Sequence, residues 1–480
     1  MRLPRRLRQH WKWVAGLVAF VAVTALVFGE ARIRPYITGD ATVISSAITE
    51  NITGTVDLFD PAVPHVLSIE LTDAEYDDMV RQFKADGDKK WVTADVVIDG
   101  TVIDDVAVRL KGNSTLMALR GIYFGPKPGE EPTPGEEPKD GQRPPGPPPG
   151  AFVKVSEDDP MSLPLLISFD ENAEGRGYQG LTELSVRPGA PVLNEALALS
   201  LTALTGQPSQ RYTYLTYSIN GNTTTRLVLE HPDEAYANGL FASDGYLYKA
   251  RAKSKLEYRG PDQSAYAEQF KQINAADTGN LQPLINFLRW LDDADDEEFA
   301  RSLADWVDVE SLARYAATQN LLVNSDDMAG PGQNYYLWYD LASEKISVLS
   351  WDLNLAMLMG DSGLGPHDKL ELKPPSGFKP PTGMGPPGGM PPGGNALKER
   401  FLASPAFTEI YDSAYWELYD AIYADGQALE LLDTIAARVP LSDGLSAEDL
   451  GKQRNSLRAW LTERAAALAQ VRSAVAGGGR

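Results

Sequence analysis

The chain has 480 residues, a formal net charge of -22 and no cysteine. The length exceeds what one small core needs, so two or three domains are expected. The acidity argues against nucleic acid as a partner, because phosphate backbones are held by a surplus of Lys and Arg, and the absence of thiols removes disulfides, thiol nucleophiles and cysteine-ligated metal centres.

The N-terminus runs against this acidity: Arg2, Arg5, Arg6, Arg8 and Lys12 precede an apolar run over residues 14–28, with Trp11 and Trp13 beside it. With no small-x-small cleavage site after it, the segment 1–31 reads as an uncleaved signal anchor, basic end in the cytoplasm and main domain extracytoplasmic; a cleaved signal peptide is the alternative. Residues 32–64 are rich in Thr, Ile and Asp without a sustained period and read as a stalk.

Folded material is expected from residue 65. Residues 66–71 read as a strand, and Thr72-Asp-Ala-Glu75 as a capping box that opens a helix to about Lys84. Strands at 91–98 and 102–110 flank Asp99-Gly100, a hairpin turn. The second runs into Arg109-Leu-Lys111-Gly112-Asn113-Ser114, a composition open to two readings, a phosphate cradle or an ordinary basic turn. Residues 125–150 are dominated by Pro, Gly and Glu and form an insertion unable to bury a core.

Strands follow at 163–169 and 181–186, then a helix at 191–204 with Leu193, Ala196, Leu197, Leu201 and Leu204 on its apolar side. Taken alone, Glu195 within it reads as a solvated helix residue. Strands at 211–218 and 224–229 surround Asn220-Gly221, and Glu230 ends the second where a lobe junction is expected. A short strand closes on Lys249, and helices are expected at 282–290, 297–306 and 311–323. The acidic run 292–298 lacks the spacing of a calcium loop and reads as a negatively charged helix start.

Residues 324–354 hold Asn324-Ser-Asp326-Asp327, a Gly/Pro turn, the aromatic segment Asn334-Tyr-Tyr-Leu-Trp-Tyr339, and Lys345-Ile-Ser-Val-Leu-Ser-Trp351-Asp352-Leu-Asn354. Carboxylates and amides at strand ends are held by the sheet yet open to solvent, which suits a magnesium–nucleotide site; a hairpin with polar turn formers is the other reading. Residues 361–395 form a second Gly/Pro-rich insertion, whose Gly383-Met-Gly385-Pro-Pro-Gly388 has no preceding strand and is no dinucleotide fingerprint. Helices are expected at 396–403, 405–422, 426–437 and 447–476.

Six blocks in sequence resemble the CotH kinase family, atypical kinases named for a spore coat protein: residues 108–114, 177–181, 245–249, 324–327 with 334–337, 350–353 and 395–401. The resemblance implies an α+β, kinase-like two-lobe fold, with a β-rich N-lobe at 65–232 carrying one helix and a mainly helical C-lobe at 233–476. It also implies transfer of the ATP γ-phosphate, with Mg2+, to a secreted or cell-surface protein acceptor. Carried onto this chain, Arg109, Lys111, Gly112, Asn113 and Ser114 would face the nucleotide phosphates, with Glu195, Glu230 and Lys249 completing the nucleotide site. Asp326 or Asp327 would take or orient the acceptor's proton, and Asn334, Asp352 and Asn354 would hold the metal. Two departures stand out: the strand before the helix offers no lysine, leaving Lys111, Lys154 or Lys249 to replace it, and Asn354 stands where a second aspartate is usual. They motivate an alternative reading, a pseudokinase serving as a surface scaffold or adhesin.

Overall fold

Alternation of apolar and polar residues builds the first half of the chain into strands. The computed structural model describes residues 48–121, 155–252, 254–276, 280–358, 360–370 and 394–478, all within the second of the chain's two units, Val43–Arg480. The expected anchor, the insertion 125–150 and most of the insertion 361–395 lie outside the described residues, among which no helix is long and apolar enough to cross a membrane.

In chain order this half contains β1 (Glu50–Ile52), β2 (His65–Glu70), α1 (Asp73–Asp86), β3 (Val92–Ile98), β4 (Thr101–Leu110), β5 (Leu165–Ser168), β6 (Arg176–Tyr178), β7 (Glu183–Val186), α2 (Leu193–Leu204), β8 (Tyr212–Ile219) and β9 (Asn222–Glu230). Seven of the strands close into a barrel in the order β2-β3-β4-β5-β7-β9-β8, with β2 parallel to β8 and the other neighbours antiparallel. Both expected hairpins form. Asp99 and Gly100 have φ of 49° and 81°, and Asn220 and Gly221 have 49° and 83°, the paired left-handed residues whose twist matches that of the strands. The capping box at Thr72 and Glu75 is present in both directions. Inward residues such as Leu67, Ile69, Val96, Val108, Ile167, Leu184, Leu215 and Val228 fill the barrel.

Residues 48–64, assigned by sequence to the stalk, are packed. β1 pairs parallel with β6, Leu58 is fully buried in the barrel's core, and its amide donates to Gln179 Oε1 at 2.9 Å. Their Ile and Leu side chains find partners more than a hundred residues away, which local periodicity does not reveal.

The second half contains α3 (Glu234–Gly239), β10 (Gly245–Ala250), β11 (Phe270–Gln272), α4 (Gln282–Asp293), α5 (Asp296–Trp306), α6 (Val309–Leu321), β12 (Tyr335–Asp340), β13 (Ile346–Ser350), α7 (Ala396–Ala403), α8 (Thr408–Tyr419), α9 (Gln427–Arg438) and α10 (Ala447–Gly478). Its four-stranded sheet runs β11-β10-β12-β13. Asp295 caps α5, so the acidic run is a helix start. The core of this half takes in α2: Leu193, Ala196, Leu197 and Leu201 pack with Tyr248, Leu284, Tyr315 and Leu337. Leu204, expected on the apolar side, is 51% exposed and lies in the last turn of α2. The helix of the β-rich half is thereby anchored in the helical half, and each buried Leu contributes about 1.5–3 kcal/mol to holding it there.

Arg464 of α10 is fully buried without a carboxylate partner. Its guanidinium donates to the carbonyls of Asn320, Leu321, Ser362 and Leu364, so it satisfies orphan carbonyls at the end of α6. That fixes the point from which residues 322–334 depart.

Candidate active site

The loop after α6 is built by its own backbone. Asn324 is buried, its amide N–H donates to Gln319 O at 2.8 Å, and its side chain donates to Gln319 Oε1 at 2.8 Å. Asp326 Oδ1 accepts from Gly332 N at 2.6 Å, and Asp326 Oδ2 accepts from Asn334 Nδ2 at 2.9 Å, while that same amide reaches Asp326 O at 2.9 Å. The glycine of the turn is needed here: a Cβ on Gly332 would stand 2.6 Å from Asp326 Oδ2 and 2.7 Å from Asn334 Nδ2.

Asp327, adjacent in sequence, turns the other way. It is buried, accepts from Ala329 N at 2.8 Å, and forms an ion pair with Lys398 of α7. Asp327 is thus compensated and closed off, whereas Asp326 is partly exposed. Burial, together with the negative charges of Asp352 and Asp327, pushes the Asp326 carboxyl up to about 7, against the hydrogen bonds from Gly332 and Asn334. The loop therefore sorts two aspartates that sequence reasoning left open.

Asp352 follows β13 in the left-handed conformation, φ 54°, one that Asp tolerates better than most residues. Its Oδ1 accepts from Arg187 Nη2 at 2.6 Å, and the same nitrogen donates to Glu195 Oε1. One guanidinium thus joins β7's end, α2 and the segment after β13. Glu195 is fully buried, not solvated, and its Oε2 has no hydrogen-bond partner among the described residues. Asp352 keeps 27% of its side chain exposed, open to a ligand. Burial raises the Glu195 carboxyl, Arg187 countering. For Asp352 the same burial effect is outweighed by Arg187 and Lys111, which hold its carboxyl below the usual range.

Two lysines complete the group. Lys111, just past β4, donates to Ser185 Oγ, and its Nζ lies 5.3 Å from the centroid of the Trp351 ring. Lys249 on β10 places Nζ 4.5 Å from the same ring. Burial and the charges of Arg187 and Lys249 push the Lys111 amine well below its ordinary value, and burial pushes the Lys249 amine down to about 8, Asp352 opposing. Amines depressed by burial and by neighbouring cations regain protonation when an anion enters, so the group favours a polyanionic ligand.

Of the residues expected in the site, Lys111, Glu195, Lys249, Asp326, Asn334 and Asp352 are brought together. Arg109 stacks on Trp91 at 4.5 Å, Asn113 accepts from Lys89 Nζ at 2.9 Å, Gly112 takes φ 102°, and Ser114 opens a 3-10 turn. Glu230 is engaged by Arg211 at 2.7 Å. Asn354 lies in a 3-10 turn and its carbonyl accepts from Asn194 Nδ2 at 2.7 Å, which ties the turn to α2. Arg187 and Lys398 carried no role in the sequence reading. The family pattern directs attention to a lysine in the strand before the helix, whereas the cation is Arg187, closing the strand immediately before the glutamate-bearing helix.

A family model for CotH kinase protein matches residues 189–441. The chain belongs to the CotH kinase family. Glu195, Lys249, Asp326, Asn334, Asp352 and Lys398 fall inside the match, whereas Lys111 and Arg187 precede it, so this CotH family member draws part of its site from outside the matched residues. No curated protein matches the chain. Among solved structures, it is similar to the complex of the toxin–antitoxin proteins HipA and HipB with operator DNA from Shewanella oneidensis MR-1, at 11% identity and a TM-score of 0.31, over 59% of this chain and 57% of that one. The CotH family places the chain among kinase-like proteins.

Oxygen and amide ligands such as Asp352 and Asn334 suit a hard divalent cation. Among the described residues no group of three or more His, Cys, Asp or Glu could hold a metal ion. Magnesium does not need such a group, since it is bound through one or two carboxylates and the phosphates of its substrate. The unpartnered Glu195 Oε2 and the depressed lysines fit a site completed by a charged ligand.

Proposed function

We propose that the protein is an ATP- and Mg2+-dependent kinase that phosphorylates a secreted or cell-surface protein. The observation that carries this reading is the convergence of Arg187, Lys111 and Lys249 on the Glu195–Asp352 pair, facing the loop of Asp326 and Asn334. Bound magnesium nucleotide supplies the phosphoryl group and the charge that offsets the developing diphosphate. Asp352 and Asn334 would hold the metal. Lys111, Lys249 and Arg187 hold the phosphates, and Glu195 steadies Arg187. Asp326, pushed up to about 7, accepts the acceptor hydroxyl's proton, a role that suits a base poised near the working pH. Asp327 and Lys398 keep the loop in shape.

The same proposal includes a membrane-anchored, extracytoplasmic setting, supported by the basic and apolar segment 1–31. Protease treatment of intact cells tests it: digestion of the main domain supports the setting, and protection rejects it.

A second reading, a pseudokinase scaffold, is favoured by one observation: the carboxylate of Asp352 is already paired with Arg187. Calorimetry with Mg-ATP separates the two. No detectable binding rejects the kinase reading; binding without phosphate transfer to any surface protein or to the chain itself supports the scaffold.

A further inference from the structure

Behind Lys111 lies a polar chain that the phosphoryl-transfer reading leaves unused. Ser185 and Glu183 are two apart on β7 and so share a face. His231 follows β9, the strand beside β7. Ser185 is fully buried, and its Oγ accepts from Lys111 and lies 3.0 Å from His231 Nδ1; His231 Nε2 lies 3.5 Å from Glu183 Oε2. The ring stands edge-on to Trp351 at 5.7 Å.

With Lys111 charged, as an entering polyanion makes it, the direction of each proton in this chain follows from chemistry. An ammonium group has three donors and no acceptor, so Lys111 gives and Ser185 receives. The hydroxyl has one hydrogen left, and its remaining neighbour is His231 Nδ1, which must therefore be an acceptor. That puts the imidazole's single N–H on Nε2, toward the Glu183 carboxylate. Burial and the cations Lys111, Lys249, Lys271 and Arg109 hold the imidazole well below its ordinary value, consistent with a neutral ring.

We infer that Ser185, backed by His231 and Glu183, is a positioning residue that aims Lys111 at the phosphates of the nucleotide; the inference rests on the kinase reading above. One N–H of Lys111 is tied to Ser185 and two are left for the ligand. Without the hydroxyl, the ammonium group loses its hydrogen-bond acceptor among the described residues and keeps only the longer-range pull of Asp352 and Glu195 against the repulsion of Arg187 and Lys249.

The test combines Mg-ATP titration of the full chain with proton–nitrogen NMR of His231 in the Mg-ATP complex. Ser185→Ala is expected to weaken Mg-ATP binding about tenfold, the size of one lost charge-assisted hydrogen bond, with kcat changing less than KM. Ser185→Thr and His231→Asn, whose side-chain oxygen can replace Nδ1 as acceptor, restore most of the affinity, and His231→Leu does not. The NMR signature expected is a neutral ring protonated on Nε2, with resonances that move in Lys111→Met. Affinity in Ser185→Ala within about twofold of the unmodified chain, or a proton on Nδ1, overturns the assignment. Should Ser185→Ala fail to fold, the His231→Asn and His231→Leu pair and the tautomer decide it. An unmodified chain that binds no Mg-ATP overturns the kinase reading itself, and is told apart from an unmodified chain that binds while Ser185→Ala binds equally well, which sinks only the role of Ser185.

Discussion

Asp327 and Asp352 each meet a basic side chain from a distant part of the chain, and the two encounters differ in what they leave open. The pair between Asp327 and Lys398 is closed, with side chains 2% and 8% exposed. Around Asp352, one guanidinium is shared by two carboxylates, a glutamate oxygen lacks a partner, and two further lysines stand nearby with depressed amines. A compensated buried pair holds structure in place, whereas a crowded set of charges, partly open to solvent, marks a candidate site.

Breaking the open side has the largest expected effect. Asp352→Ala removes the proposed metal ligand and is expected to lower phosphate transfer by about a thousandfold or more, the scale of losing electrostatic stabilisation in the transition state. Its melting temperature should stay close to that of the unmodified chain, because Arg187 keeps Glu195; full activity in this variant would remove Asp352 from the site.

The two neighbouring aspartates sharpen the contrast. Asp326→Asn is expected to cost about 10²–10⁴-fold in kcat, the range of general-base catalysis, and little stability. Asp327→Asn should do the reverse, and transposed outcomes would reassign the base.

Lys398→Met, which leaves Asp327 buried and unpaired, is expected to destabilise the fold by about 3–5 kcal/mol, read by chemical denaturation. An unchanged unfolding midpoint would mean that the closed pair does not hold the loop.

The smallest effect is on pH. The Lys249 amine sits at about 8 in the folded chain against about 10.4 unfolded. Over that window the unfolded chain binds a proton that the folded chain has released, so unliganded stability rises with pH. Mg-ATP affinity should fall as pH climbs through 8, since the charge that meets the phosphates is lost; an affinity flat from pH 7 to 9 would place Lys249 away from the ligand.

Much of the architecture was legible because it is local. Asp99-Gly100 and Asn220-Gly221 announce their hairpins, Thr72 and Glu75 their helix start, and alternation the barrel strands. The division of labour between Asp326 and Asp327 was not legible, since Lys398, which decides it, lies 71 residues away from Asp327. Arg187 escaped notice for a related reason: its two partners are 8 and 165 residues away. The burial of Glu195 depends on α2 sinking into the helical core, which no window along the helix contains.

Arg464 extends this non-locality to the far end of the chain. A guanidinium that ends on carbonyls of Asn320, Leu321, Ser362 and Leu364 makes the last helix a keystone for the loop that carries Asp326. A protein shortened ahead of that arginine would keep its barrel and lose the registration of its aspartates.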